Sequence, residues 1–188
     1  MNLLSILPIY LYGSSVLKKK AKPVTKLTDK HISQIMNMFD TMHHAQGIGL
    51  AANQVGSLER IIVVDVSEVE GYEDVKPMAL INPEIVGRDG SATMEEGCLS
   101  IPDVRDEVER AEGILVRYHD TNFELQEIEA HELLARVIMH EVYHINGVLF
   151  LDHLSAAKRK LHKEQLDNIK QGEIEVSYPV ISNVKELA

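Results

Sequence analysis

The stretch AHELLARVIMHEVYHING, residues 130–147, is predicted to form a helix that packs in the core of the fold. Its apolar residues recur at helical spacing, at Leu134, Val137, Ile138 and Ile145. The Asn146-Gly147 pair after them is typical of a helix end. We therefore expect a helix over about Ala130 to Ile145.

The sequence His140-Glu141-Val142-Tyr143-His144 lies within this helix. Residues four apart share one helix face, so the two imidazoles can bind one metal ion. Glu141 is close enough to reach a water on that ion without being a ligand itself. The alternative is an exposed helix face with two solvated histidines. Metal binding is favoured because the helix is rich in Leu, Val and Ile, and burying two unpaired histidines is costly.

Cys98, the single cysteine, lies in the segment EEGCLS, residues 95–100. A lone cysteine is usually a small core residue, but beside a two-histidine site it is the obvious third ligand. Gly97 before it lets the backbone come close to the ion. A thiolate favours Fe(II), Zn(II), Ni(II) or Co(II) over Mg or Ca. Because there is one thiol, nothing indicates an oxidising compartment.

The segment GIGLAANQ, residues 47–54, combines glycines with small apolar residues. This composition suits close backbone approach to an extended ligand, to which Gln54 offers a neutral amide donor. The segment has no Lys for a phosphate loop, so nucleotide binding is not favoured. The alternative is a turn at the end of a first helix, with Gly47 as its left-handed residue.

The remaining pattern predicts an α+β fold with mostly antiparallel sheet. A first helix should run from the N-cap Thr28 to about Ala45, and a third from Ser155 to about Gln171. Strands are expected over Arg60–Val66, over Ala79–Val86 as an edge or bend at Pro83, and over a hairpin of Ile114–His119 with Phe123–Ile128. The tail from Gly172 to Ala188 has too little periodicity to assign.

Length and composition limit the class of protein. The 188 residues predict a single domain, residues 1–188, and 45% hydrophobic content is ordinary for a globular chain. The net charge of −10 argues against binding DNA or another phosphate backbone. No run of 18 apolar residues occurs, so a membrane span is not expected. The apolar start MNLLSILPIYLY has no basic segment before it, so we expect a cytoplasmic protein rather than a secreted one.

Three segments, GIGLAANQ, EGCLS and HEVYH, resemble in this order and spacing the signature motifs of the bacterial peptide deformylases. The resemblance runs from the ILPIYLYG start to the GVLFLDHLS segment after the metal helix. Members of that family remove the formyl group from the N-terminal formyl-methionine of new polypeptides. The resemblance implies a metallohydrolase of one catalytic domain, with the metal-binding helix at its centre and helices near both termini.

The family pattern also implies a role for individual residues. The metal would be held by Cys98, His140 and His144, with Fe(II) in the cell and Zn(II), Ni(II) or Co(II) as replacements. Glu141 would be the general acid and base, and Gln54 with the Leu99 backbone N–H would stabilise the oxyanion. Substrate would lie along five further residues, Ile48, Gly49, Leu50, Gly97 and Arg105.

Among the departures from the family pattern, one lies within the HEVYH motif and another lies just before it. Tyr143 stands where the family usually has Asp, a position expected beside the ligands rather than among them. Arg136 and Val137 stand where smaller or apolar residues commonly line the methionine pocket.

Other functions are compatible with the same motifs. A metalloendopeptidase would use HEVYH with another ligand, and a metal-stabilised binding protein or iron sensor would need no general base. The basic helix 155–172 is either a solvated face or, as the resemblance implies, a ribosome-docking surface.

Overall fold

The computed structural model describes residues 5–183, which fold into helices and antiparallel sheets as the sequence predicts. The α-helices are α1 (Asp29–His44), α2 (Glu132–Ile145), α3 (Ala156–Leu161) and α4 (Lys163–Gln171). The strands are β1 (Ile9–Tyr10), β2 (Gly49–Ala51), β3 (Ile61–Val64), β4 (Met78–Asp89), β5 (Ala92–Cys98), β6 (Ile101–Arg110), β7 (Gly113–His119), β8 (Leu125–His131) and β9 (Val180–Ile181). No helix in this range is long and apolar enough to cross a membrane.

A five-stranded antiparallel sheet in the order β2-β3-β4-β7-β8 separates two helices. Strand β3 is buried along its whole length because both of its faces are covered. Ile62 and Val64 pack in one apolar cluster with α2, whereas Ile61 and Val63 pack in another with α1. Helix α2 therefore lies against the sheet, and β2 lies at the sheet edge beside it.

Helix α2 begins two residues later than the periodicity predicts. Strand β8 continues through His131, and Glu132, with φ of 50°, turns the chain from strand to helix. Its end is as predicted, because Gly147 adopts φ of 78°. A Cβ on Gly147 would lie 2.6 Å from the backbone oxygen of Lys18, so the residue after the helix must be small.

Of the two alternatives predicted at Pro83, the edge strand is wrong, because β4 lies between β3 and β7 in the sheet, whereas the bend agrees with an irregularity in β4. Pro83 is tolerated there since the β4–β7 register shifts between Ile81 and Glu84, so the proline falls at an irregularity. Asn82 takes φ of 53° at the same point, and its side chain pairs with the backbone of Val24.

The β7–β8 hairpin is confirmed, although Phe123 lies in its turn with φ of 63° rather than in the second strand. The prediction of a single third helix is wrong, because residues 156–171 form two helices, α3 and α4, with a break at His162. Both helices are anchored to β6 through Asp106, whose carboxylate bonds Lys158 at 2.6 Å and His162 at 2.9 Å.

A second hairpin, β5–β6, has no counterpart among the predicted strands. Cys98 pairs with Ile101 at its end, with Leu99 and Ser100 forming the turn. The tail from Gly172, to which the sequence assigned no element, contains β9, which pairs in parallel with β1. Residues 184–188 of this tail lie outside the described residues.

Replacing Asn82 tests the irregularity in β4. The Asn82 side chain accepts from Val24 N and donates to Val24 O, each at 2.8 Å, in a left-handed conformation. Asn82→Ala should lower the free energy of unfolding by about 2–3 kcal/mol, because it loses both hydrogen bonds and keeps the strain. Asn82→Gly should cost less, since glycine relieves the strain. Urea denaturation measures both; equal losses would show that the backbone conformation is unimportant.

Candidate metal centre

Three possible metal ligands from two elements meet at one point. Cys98 ends β5, and His140 and His144 lie one turn apart on α2. The Cys98 Sγ is 3.1 Å from His144 Nε2, which is 3.2 Å from His140 Nε2. All three atoms lie within 4.8 Å of one another. One ion with bonds of about 2.0–2.3 Å fits among atoms at such distances.

The surroundings of the three side chains favour positive charge at their centre. Burial alone would lower the pKa of His140, but hydrogen bonds with Cys98 and Glu96 and the charge of Glu141 raise it to about 10. The pKa of His144 lies well below its usual value, because the ring is buried and the charge of His140 is close. His144 is therefore in the neutral form that binds metal, whereas His140 would exchange its Nε2 proton for the ion. One sulfur and two imidazole donors suit a divalent transition metal.

Glu96 orients the first histidine. Its Oε2 accepts a hydrogen bond from His140 Nδ1 at 2.9 Å, which turns the Nε2 lone pair toward Cys98 and His144. Arg110 donates to both Glu96 oxygens, from Nε at 2.5 Å and from Nη2 at 2.9 Å, and Arg136 Nη1 donates to Oε1 at 2.8 Å. Burial would raise the pKa of Glu96, but the bonds from Arg110 and His140 hold it well below its usual range.

Sequence reasoning missed this carboxylate and Arg110, and it noted Arg136 only as a departure at the methionine pocket. Glu96 is two residues before Cys98, a spacing that places two side chains on one face of a regular strand, although β5 is irregular between them. That spacing was the only feature of the sequence that could have pointed to Glu96. The sequence does not show that β5 packs close enough to α2 and β6 for Glu96 to pair with their side chains.

Glu141 is 4% exposed and lies against strand β2. Burial raises its pKa to about 7; the charge of His140 opposes the rise and that of Glu96 adds to it. Its Oε2 has no hydrogen-bond partner among residues 5–183. A carboxyl group with a pKa near neutrality can both accept and donate a proton at physiological pH.

Gly49 allows this close approach of β2 to α2. A Cβ on Gly49 would lie 2.6 Å from Glu141 Oε1 and 2.7 Å from Val137 Cγ1. Gly47 has a different role from the one predicted, because the left-handed residue after α1 is Gln46, with φ of 56°. Gly47 is instead needed for space, since a Cβ there would lie 2.7 Å from Leu99 Cδ1.

Gln54 is held in a fixed orientation beside the cysteine. Its Oε1 accepts from the backbone N–H of Ala51 at 2.8 Å, so its amide nitrogen faces the other way. That Nε2 donates to Ser100 Oγ at 3.2 Å and lies 3.5 Å from Cys98 Sγ. Asn53 beside it donates from Nδ2 to the His144 carbonyl, which ties this turn to α2.

A cleft of about 730 Å³ opens over these groups. Nine of the predicted site residues line it: Ile48, Gly49, Gln54, Gly97, Cys98, Leu99, Arg105, His140 and Glu141. The side chain of Leu50 is instead fully buried with α1, and His144 lies beneath the cleft with 1% exposure. Residues 175–178 form part of the wall, where Tyr178 donates to the Leu99 carbonyl at 2.9 Å.

The departures at residues 136 and 137 both lie at this cleft, beside Leu133. The guanidinium of Arg136 bonds Glu96 and the carbonyls of Val108 and Ala92, so its charge is committed to the protein. Arg105 lies at the rim, with a 68% exposed side chain 3.6 Å from Glu95.

Comparison with known proteins agrees with this geometry. The family model for polypeptide deformylase matches residues 6–160. A peptide deformylase from Salinibacter ruber is 47% identical over 189 residues, covering 96% of this chain and 97% of its own. One from Chlorobium phaeobacteroides is 48% identical over 176 residues, covering 93% and 95%. The crystal structure of a peptide deformylase from Legionella pneumophila superposes with a TM-score of 0.83 at 38% identity, covering 90% of this chain and 98% of its own. A Cys-His-His cluster with two buried histidines and an adjacent carboxyl group thus occurs in a chain that belongs to the peptide deformylase family.

Proposed function

We propose that this protein removes the formyl group from the N-terminal formyl-methionine of newly synthesised polypeptides and releases formate. The main support is the convergence of Cys98, His140 and His144 beside the near-neutral carboxyl group of Glu141, in a member of the deformylase family. The protein is a metallohydrolase acting on a linear amide. We further propose that residues 1–188 form a single catalytic domain and that it acts in the cytoplasm, where nascent chains are made.

The proposed metal ligands are Cys98, His140 and His144, with α2 as the metal-binding helix around which the sheets pack. Fe(II) is the proposed ion in the cell, and Zn(II), Ni(II) or Co(II) can replace it, because one thiolate and two imidazoles suit all four. When bound, such an ion supplies Lewis acidity to the formyl oxygen and to the attacking water.

Glu141 is the proposed proton carrier. It accepts a proton from the attacking water and then donates it to the amine nitrogen of the departing polypeptide. Its pKa of about 7 supports both steps, since neither protonation state is strongly disfavoured at neutral pH. The strand at Gly49 keeps the carboxyl group enclosed, and this enclosure maintains the raised pKa.

Two donors are proposed for the negative charge that develops on the formyl oxygen. They are the Gln54 side-chain amide and the backbone N–H of Leu99. Gln54 cannot turn its carbonyl toward the cleft without losing the bond from Ala51 N–H. Each donor should stabilise the transition state by about 3 kcal/mol, as in other oxyanion holes.

The substrate peptide is proposed to lie along β2, which is at an edge of the five-stranded sheet within residues 5–183. An extended peptide can hydrogen-bond such an edge as an added strand. Gly49 would bond the substrate backbone, with Ile48 and Leu50 on either side; buried Leu50 would contribute through its backbone alone. The methionine side chain would enter beside Leu133 and Val137, while Gly97 and Arg105 border the rest of the path.

We also propose that the basic segment 155–172 docks on the ribosome. Three of its lysines pair with carboxylates: Lys158 with Asp106, and Lys163 and Lys170 with Asp167. The exposed cations Arg159 and Lys160 lie in the last turn of α3 next to Leu161, which is 81% exposed. An exposed leucine beside cations suits a partner that is both anionic and partly apolar.

The function is tested by measuring formate release from a formyl-methionyl peptide, with and without a chelator. The parent protein should release formate and the chelator should stop it. Cys98→Ser should lose most of its metal and its activity, because a serine hydroxyl is a harder and far less acidic ligand than a thiol. Plasma emission measures the metal, and circular dichroism checks the fold.

Stoichiometric metal in Cys98→Ser would show that Cys98 is not a ligand. Cleavage inside an unformylated peptide, without formate release, would indicate an endopeptidase instead. A protein that binds metal and hydrolyses neither substrate would be a binding protein or sensor.

Glu141→Gln separates a proton carrier from a ligand. The amide keeps the shape of the side chain but cannot accept a proton near neutral pH. Turnover should fall by about 10²–10⁴-fold, with metal content and KM close to those of the parent. Glu132→Gln, an exposed change on the same helix, is the matched control and should leave turnover unaltered. Turnover within a few-fold of the parent, or loss of the metal, would refute the assigned role.

Reversing charge tests the docking surface. The double change Arg159→Glu with Lys160→Glu should reduce cosedimentation with ribosomes at low salt and leave formate release from a free peptide unchanged. Lys19→Glu with Lys20→Glu, two exposed lysines elsewhere in the chain, is the control. Equal cosedimentation of both double variants and the parent would remove the proposal.

A further inference from the structure

Tyr143 lies between the proposed metal ligands His140 and His144 in the sequence of α2, but it is not among the residues that line the cleft. Its ring packs against the guanidinium of Arg110, whose Cζ is 4.7 Å from the ring centroid. The ring of His153 meets it edge-on, with centroids 4.9 Å apart and planes at 72°. A buried guanidinium over an aromatic face is attracted by the negative charge of the ring face.

Arg110 is fixed from three sides. Its Nε and Nη2 donate to the two oxygens of Glu96, Nη1 lies 3.3 Å from His153 Nε2, and Cζ lies over the Tyr143 ring. The two N–H groups of Arg110 can bond both oxygens of Glu96 only while the guanidinium and carboxylate planes stay aligned. The attraction between the guanidinium and the Tyr143 ring below it favours this position of Arg110.

The contact reaches the metal site through Glu96. The Glu96 oxygen that accepts from Arg110 Nη2 also accepts from His140 Nδ1, both at 2.9 Å. The direction of the His140 Nε2 lone pair therefore depends on the position of Glu96, which depends on Arg110. Hydrogen-bond partners of this kind set both the orientation and the basicity of a histidine ligand.

Charge explains why an aromatic ring suits this position. Glu96 bonds two guanidiniums, those of Arg110 and Arg136, so its negative charge is already shared. A second carboxylate at residue 143 would compete with Glu96 for Arg110. A tyrosine ring attracts the Arg110 guanidinium through its π-face. It does not present a carboxylate oxygen to the guanidinium N–H groups that bond Glu96. Arg110 thus remains bidentate on Glu96.

We infer that Tyr143 is a positioning residue for the metal ligand His140, acting through Arg110 and Glu96. The inference rests on the proposed metal site and deepens it. The ring is the active part of the side chain in this role, so removing the hydroxyl should matter little and removing the ring should matter most.

The test compares Tyr143→Phe, which keeps the ring, with Tyr143→Leu, which removes it. The zinc dissociation constant is measured by competition with a chromophoric chelator. It should stay within twofold of the parent for Tyr143→Phe and rise about fivefold for Tyr143→Leu. The visible spectrum of the Co(II)-substituted protein should shift in Tyr143→Leu only, because His140 then changes its orientation. Equal constants and equal spectra for the two variants would overturn the inference.

Tyr118→Leu is the matched control for lost packing. Tyr118 is half-buried and packs against the same apolar cluster as Tyr143, but it lies on β7. Its replacement should lower the urea midpoint without altering zinc binding. Zinc binding that weakens as much in Tyr118→Leu would mean that lost packing, not ligand orientation, explains the effect.

A double-mutant cycle with Glu96→Gln tests the route. In Glu96→Gln the carboxylate that pairs with Arg110 is gone. Adding Tyr143→Leu to this variant should therefore change the zinc dissociation constant by less than another twofold. A full fivefold change in that background would overturn the route through Glu96. If Glu96→Gln does not fold, the Co(II) spectra of the single variants decide the question. A parent that binds zinc but releases no formate would refute the proposed function and leave the Tyr143 comparison valid.

Discussion

The buried carboxylate of Glu96 is the interaction on which the site depends. It joins β5 to β6 through Arg110 and β5 to α2 through Arg136 and His140. A charge taken out of water is tolerated only when it is paired and hydrogen-bonded, and here each oxygen has two donors. Removing it would leave two buried guanidiniums with no charge opposite them. The hairpin that bears Cys98 is thereby fixed against the helix that bears both histidines.

A second constraint is the close approach of backbone to this cluster. The β2 strand passes so near α2 that only glycine fits at residue 49, because a Cβ there would overlap Glu141. The same closeness helps to bury the carboxyl group, and this burial raises its pKa. The glycine at residue 49 therefore has two effects. It lets the edge strand β2 lie along the cleft, and it keeps the pKa of Glu141 raised.

The wall of the cleft depends on the C-terminal segment. Burial, together with the charges of Cys98 and Asp103, raises the pKa of Tyr178 well above its usual range, so its hydroxyl stays protonated. It can then donate to the Leu99 carbonyl, at the turn that follows Cys98. The parallel pairing of β9 with β1 holds the segment in place, so two chain regions far apart in sequence support the same turn.

The sequence by itself determined the helices with clear periodicity, the three motif segments and the residue types able to bind a metal. It was misleading where local pattern and tertiary position disagree. At Pro83 the sequence left both an edge strand and a bend open, and β4 is an interior strand with an irregularity there. Strand β6 has no clear alternation because Asp103, at φ of 61°, shifts the buried side from Ile101 to Val104. The pairing of Glu96 with Arg110 and Arg136, and the packing of Tyr143 on Arg110, were decided only by the tertiary structure. Periodicity reports which face of an element is apolar, whereas a buried ion pair depends on how distant elements meet.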